Sequence, residues 1–541
     1  MSEADVASTA PAANPPAANP PVANRPVANP WLIAMVVTLA AFMEVLDTTI
    51  VNVALPHIAG TMSASTDEIT WTLTSYLVSN GIVLTISGYL TRLLGRKRYF
   101  LICISMFTVC SVLCGLANSL TQIIMFRLLQ GFFGGGLQPT QQSIILDTFP
   151  PAKRGQAFAL TAMATVVAPV LGPTLGGWIT DNYDWRWIFL INIPVGILAF
   201  FGVAALVPAP TVARVPLGKG SFDYVGLGFI ILGLGALQIL LDRGETDDWF
   251  TSPFIRALAL LTLTGIGGAV WWLLLAKKPI VNLRVLADRN FALGCLMISS
   301  MAIILYSSAV LIPQLSETQY GYTATLAGLI LGPGALALIA FIVIVGRILP
   351  LVQPRFIIAA GFVFLGCAFL YAHRLTPNLD FRTLIEMRVT QTLGLSFLFV
   401  PISSIAYSTL PKSLNADAAA LYTMFRNLAG SIGISVSAAL LVTRGQVHMA
   451  YLGAHQTPFS QPFADTLSVT TRIIEGTGVP AGVAHQTALG HLYRQLIGQS
   501  QILAYMDVFS LCALLSFCVA PLALLLYPVK PSGGAAPEGA H

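Results

Sequence analysis

The strongest constraint on this chain is a succession of long apolar runs separated by short polar connections. A helix needs about 20 apolar residues to cross the hydrocarbon core of a bilayer. Fourteen such runs follow one another, near 31–54, 69–91, 99–117, 120–146, 155–178, 187–207, 222–241, 254–275, 291–314, 324–349, 354–373, 383–410, 416–442 and 501–527. Lipid offers the backbone no hydrogen-bond partners, so the runs are expected to be helices. Only 9% of the 541 residues are charged, against about 25% in a soluble chain. The expected fold class is therefore all-α integral membrane, with the lipid bilayer as its solvent.

An even number of spans puts both termini on one side, and the distribution of Lys and Arg says which. Loops on the side of the N-terminus hold seventeen of these cations and the opposite loops eight, with three more inside helices. The excess predicts cytoplasmic termini. The first 30 residues repeat a unit, "PAANP", "PAANP", "PVANR", "PVANP", and lack the basic and apolar regions of a signal peptide. Such a Pro- and Ala-rich stretch reads as an extended, disordered, solvated tail. The longest exterior loop is expected over 444–500, where "AHQTALGHLYRQLIGQ" (484–499) has amphipathic helical spacing. That segment is either a docking element or plain linker. His485 and His491 there are six apart, which does not match a one-turn metal pair. The seven cysteines lie in apolar runs without a CxxC pair and read as small core residues.

Charges inside the runs are the exceptions that need a purpose, because an Asp or Arg at mid-helix costs about 2.5–3.5 kcal/mol on insertion scales. Glu44 and Asp47 in "AFMEVLDTTIVNVALP" (41–56) are three apart and share nearly one helix face. Arg127, Arg426 and Asp507 form a further set of candidate charged sites. Arg127 is either a hydrogen-bond hub or a functional cation, and Asp507, expected to open the last helix, is either functional or interfacial. Glu386 and Arg388, near the exterior start of their helix, are expected at the surface. "GPTLGG" sets Gly172 and Gly176 four apart, leaving one helix face as bare backbone that a neighbour can approach. Pro173 between them removes a helix hydrogen bond and permits a bend.

Four patterns occur in order: "LDTTIVNVALP" (46–56), "GYLTRLLGRKRYF" (88–100), "RLLQGFFGGG" (127–136) and "APVLGPTLGG" (168–177). Together they resemble the major facilitator superfamily, and within it the fourteen-helix drug:proton antiporters. Stretches such as "LQILLDRGETDDWF" (237–250) and "FRNLAGSIGIS" (425–435) resemble the EmrB-type efflux subunit in particular. The resemblance implies two six-helix bundles, over 31–207 and 281–527. Two linking helices fall within 208–280, and a short cytoplasmic tail over 528–541. It assigns Asp47 and Arg127 to proton coupling; Glu44, one turn deeper and outside the motif, is read from its own position as a second carrier or a contact for cationic substrates. Gln130 and Gly131 belong with Arg127 to the helix-four motif. Gly172, Pro173, Gly176 and Gly177 form the antiporter motif of helix five, and Gly88, Gly95, Arg96 and Lys97 the loop motif. That loop motif has an acid three residues before Gly95, where this chain has Arg92. The interdomain charge latch drawn from the motif is therefore left open.

The sequence carries no GxxxxGK[ST] loop, GxSxG elbow or His-rich metal pattern. An enzyme is not expected, nor a cofactor other than protons as the coupling ion, nor a nucleic-acid partner. The resemblance implies proton-coupled export of amphipathic toxic compounds across a Gram-negative inner membrane, with a periplasmic adaptor and an outer-membrane channel as partners. A dedicated exporter of a fatty acid or siderophore is the nearest rival. A non-transporting receptor or scaffold is the rival from another class.

Overall fold

Gly95, at the end of the second helix, has φ +81°, a backbone conformation glycine adopts without a Cβ penalty. It reverses the chain in one residue between α2 (Thr66–Leu94) and α3 (Arg96–Gly115). The computed structural model describes residues 29–208 and 222–528, apart from positions 350, 378, 455 and 458. The expected tail over 1–30 lies outside the described residues but for its last two, and the tail over 528–541 but for its first.

α1 (Pro30–Met62) begins at Pro30, with the Asn29 side chain accepting from Trp31 N–H as an N-cap. α4 (Leu120–Gly134), α5 (Leu137–Thr148), α6 (Pro151–Asn182), α7 (Trp187–Leu190) and α8 (Asn192–Leu206) complete the first bundle. α9 (Tyr224–Arg243) and α10 (Pro253–Leu275) pair with each other as the linking helices. The second bundle holds α11 (Arg289–Tyr320), α12 (Ala324–Ile348), α13 (Pro354–Leu370), α14 (Phe381–Ala406), α15 (Asn415–Ala454) and α17 (Ala481–Val519), with α16 (Gln461–Glu475) before the last. The packing repeats between bundles. α1 lies on α6 as α11 lies on α15, α2 on α4 as α12 on α14, and α3 on α8 as α13 on α17. The bundles meet where α15 packs on α2 and α12 packs on α6.

Among the described residues twelve helices are long and apolar enough to cross a membrane, and α6, bent by 41°, makes thirteen if taken as one span. The bend falls over 170–173, where the sequence places it. The run over 120–146, expected to be one helix, is divided into α4 and α5 at the glycines 134–136, so neither piece is counted as a span. The loop expected over 444–500 is mostly helical. α15 continues to Ala454, α17 starts at Ala481, and amphipathic α16 sits between them with no buried residue. Of the cysteines, Cys367 and Cys518 are exposed, and the other five are buried and free.

Candidate functional site

Although Glu44 and Asp47 leave α1 on nearly one face, they enter different surroundings. Asp47 is fully enclosed within the first bundle. It forms an ion pair with Arg127 of α4 at 2.5 Å. Its other oxygen accepts from Gln130 Nε2 and from Asn192 Nδ2, each at 2.9 Å. Gln130 also accepts from Arg127 at 2.9 Å, and Asn192 donates to Ser111 at 2.9 Å. The guanidinium lies 4.2 Å from the Tyr76 ring centroid, a cation–π contact that helps hold a cation in so apolar a place. Charge inside an apolar run singles out both ions in the sequence without pairing them. The two neutral amides that complete the cluster carry no sequence signal of their own.

Glu44 instead faces the space between the bundles. Asn80 of α2 donates to it at 3.1 Å, and Gln138 of α5 donates to its other oxygen. Among the described residues no cation lies within ion-pair distance of it. The Gln138 carbonyl accepts from Arg426 of α15, so one amide bridges an acid of the first bundle and a cation of the second. Arg426 is thereby confirmed as buried. Glu44, Asn80 and Gln138 line an interbundle cavity of about 330 Å³. Its other walls include Tyr306, Met424 and Asn427 of the second bundle and Gln238 of α9. The mixture suits an amphipath: apolar walls to take its body, amides and one carboxylate to take its head.

Toward the face on which α1 begins, the bundles are pressed together. Arg92 of α2 forms an ion pair with Asp417 at the start of α15. A Cβ at Gly88 would come within 2.8 Å of that carboxylate, so the glycine is what lets α2 approach. Asp147 of α5 pairs with Arg96 and accepts from Asn415 of α15 at 2.7 Å. Tyr407 of α14 donates to Gln142 at 3.0 Å and stacks on Phe158. Lys97 donates to the Ala204 carbonyl of α8 at 2.7 Å. The loop motif thus does hold an interbundle ion pair, with Arg92 supplying the cation and a residue 325 positions away the acid.

The helix-five glycines meet α1. A side chain at Gly172 would overlap Thr49, and a Cβ at Gly176 would lie 2.9 Å from the Ile50 carbonyl. A Cβ at Gly177 would make only ordinary contact with Val53, at 3.9 Å. Pro173 lies within the bent segment of α6. Gly131 lies where α4 presses on the Tyr76–Ser79 turn of α2.

Two expectations are corrected. Asp507 does not open the last helix: it lies in the second half of α17, paired with Arg444 at 2.6 Å and His448 at 2.7 Å of α15, far from Arg426's partners. Arg388 is not a surface group. It is 3% exposed, inside the second bundle, while Glu386 two residues earlier is exposed and paired with Arg382. The second turn of α14 is already covered by α11 and α12, so nearness to a helix end does not mean exposure.

Residues 37–434 match the Major Facilitator Superfamily. The chain belongs to this superfamily. Major facilitator proteins are transporters, so this is a multi-pass membrane transporter and not an enzyme. It is 35% identical over 513 residues to the multidrug export protein EmrB of Escherichia coli K12, spanning 94% of this chain and 98% of that one. It is also 35% identical to the fatty acid resistance protein FarB of Neisseria gonorrhoeae, over 92% of this chain and 96% of the other. Among solved structures, the human organic anion transporter MFSD10 superposes with a TM-score of 0.54 at 13% identity, covering 92% of this chain and all of that one. That likeness speaks for the major facilitator fold alone.

Proposed function

We propose that this protein exports amphipathic toxic compounds from the cytoplasm in exchange for protons. The observation that carries the proposal is Glu44: a carboxylate on the wall of the interbundle cavity, held by neutral amides and paired with no cation. A carboxylate so placed can take a proton without breaking an ion pair, and can give it up when a cationic drug supplies the missing charge. Asp47, saturated by Arg127, Gln130 and Asn192, then serves as the fixed brace of α1 against α4, and Arg127 as its counter-charge. This assigns proton carriage to Glu44 ahead of Asp47. The antiporter glycines seat α6 on the same segment of α1, so a change at Glu44 is transmitted to the helix that faces α12 across the bundle interface.

Both termini lie in the cytoplasm on this reading, which the Lys and Arg excess supports, and similarity to EmrB of Escherichia coli supports an inner-membrane location. In that orientation the contacts around Arg92, Asp147 and Tyr407 close the cytoplasmic side. The projecting ends of α15 and α17, together with α16, face the periplasm. Exposed Phe459, Ile473 and Tyr493 there suit docking to a periplasmic adaptor, through which an outer-membrane channel would be reached. Similarity to FarB supports a second reading, in which the amphipath is a fatty acid.

The test is a growth-inhibition panel with and without an adaptor, joined to efflux from vesicles. Resistance to several cationic amphipaths, with efflux abolished when the proton gradient is collapsed, supports the proposal. Protection against fatty acids alone favours the second reading, and efflux indifferent to the proton gradient refutes the coupling.

A further inference from the structure

The two bundles repeat one pattern that they complete differently. In the fourth helix of the first bundle, Arg127 and Gln130 stand seven and ten residues after the start of α4 at Leu120. In the fourth helix of the second, Arg388 and Gln391 stand at the same two offsets from the start of α14 at Phe381. The short sequences "RLLQ" (127–130) and "RVTQ" (388–391) carry the repeat. Both arginines therefore lie about 10 Å along their helices at 1.5 Å per residue, and both are buried. In the first bundle the first helix supplies a carboxylate, Asp47. In the second it supplies a hydroxyl, Ser308 of α11, which accepts from Arg388 at 2.9 Å.

The second cluster is one negative charge short. Among the described residues no carboxylate lies within ion-pair distance of Arg388. Its Nε has no hydrogen-bond partner, and neither does either amide atom of Gln391, which is fully buried. Burying a cation without a counter-charge or water is among the costliest arrangements inside a membrane. Packing limits what can supply the charge. α12 presses on the site, since a Cβ at Gly334 would lie 3.0 Å from Arg388 Cγ. Neither Arg388 nor Gln391 borders the interbundle cavity, so the head group of a substrate held there does not reach them.

We propose that Arg388 and Gln391, with Ser308 orienting the guanidinium, bind a small inorganic anion of halide size, which plays in the second bundle the part that the Asp47 carboxylate plays in the first. The guanidinium supplies the charge and its unpartnered Nε–H a donor, and the Gln391 amide N–H supplies another. Ser308, whose hydroxyl proton goes to the Leu305 carbonyl at 3.0 Å, orients the guanidinium, and the exterior end of α14 is the nearest way in. The anion is a structural counter-ion of the carrier. This reading is independent of the proposed drug export and of Glu44.

The experiment uses purified full-length protein with chloride as the probe, replaced by gluconate at equal ionic strength. The thermal midpoint should rise saturably by several degrees as chloride is restored, with half-effect in the millimolar range, and bromide should substitute. Ser308→Asp, which builds the missing carboxylate in place, should hold the high midpoint in gluconate and respond no further to chloride. Arg388→Gln should abolish the chloride response, and it keeps the proposal testable if the aspartate variant fails to fold. An identical midpoint in chloride and gluconate for the unaltered protein overturns the proposal. So does a chloride response that survives in Arg388→Gln.

Discussion

Removing either partner of the Arg92–Asp417 pair should open the cytoplasmic side of the carrier. The pair joins α2 to α15 across the bundle interface, with Arg92 31% exposed and Asp417 7% exposed. Two unit charges in contact near a protein surface attract by about 4 kcal/mol at an effective dielectric constant of about 20. Fully exposed pairs retain only about 1 kcal/mol or less. A pair with one buried and one half-buried member falls between these limits, at about 2 kcal/mol. At about 1.4 kcal/mol per decade, its loss shifts the balance between closed and open cytoplasmic sides by about 30-fold. Asp417→Asn keeps the shape beside Gly88 and removes only the charge, and Arg92→Gln is its counterpart. The assay is alkylation of a cysteine placed at Ala309, on the wall of the interbundle cavity behind the closed contacts, from the cytoplasmic side of inverted vesicles. Each single variant should be labelled much faster than the parent, and the double variant no faster than either single, since one interaction is lost in all three. Labelling that multiplies in the double variant, or does not change in either single, would show that the pair does not hold the bundles together.

Two further outcomes follow from the packing of α1. Asp47→Asn leaves Arg127 as an unpaired cation in a fully buried position and should cost about 3–5 kcal/mol of stability; the double variant Asp47→Asn with Arg127→Gln should recover much of the loss in a thermal melt. Gly176→Leu should insert into the membrane and purify but fail to transport, because a side chain beside the Ile50 carbonyl forces α1 and α6 apart, and transport at the parental rate would show that their close approach is not needed.

The spans were legible because membrane thickness fixes the length of an apolar run, and Asp47 and Arg127 stood out because charges are rare inside such runs, although only the fold says which first-helix acid meets the arginine. Helix ends were harder to read. Hydropathy falls where a helix leaves lipid, not where its hydrogen bonding stops, so the continuation of α15 to Ala454 fell within the expected loop, and the early part of α17 showed only as the amphipathic spacing of 484–499. The same ambiguity put Arg388 on the surface, although "RVTQ" repeats "RLLQ" openly in the sequence. The glycines 134–136 signalled a break that apolar composition masked. The partners of Glu44 were not legible at all. Asn80 and Gln138 are neutral amides in helices, a common occurrence, and only the fold brings them to one carboxylate. Asp417 had no sequence link to Arg92, for pairing across bundles leaves no spacing to read.

In the proposed mechanism Glu44 carries the proton and Asp47 does not. Drug-induced proton release from detergent-purified protein at neutral pH tests it most directly. A cationic drug should release protons from the unaltered protein, and Glu44→Gln should release none while still binding the drug, no longer in a pH-dependent way. Proton release from Glu44→Gln equal to that of the parent would contradict the account and place the carrier elsewhere in the chain.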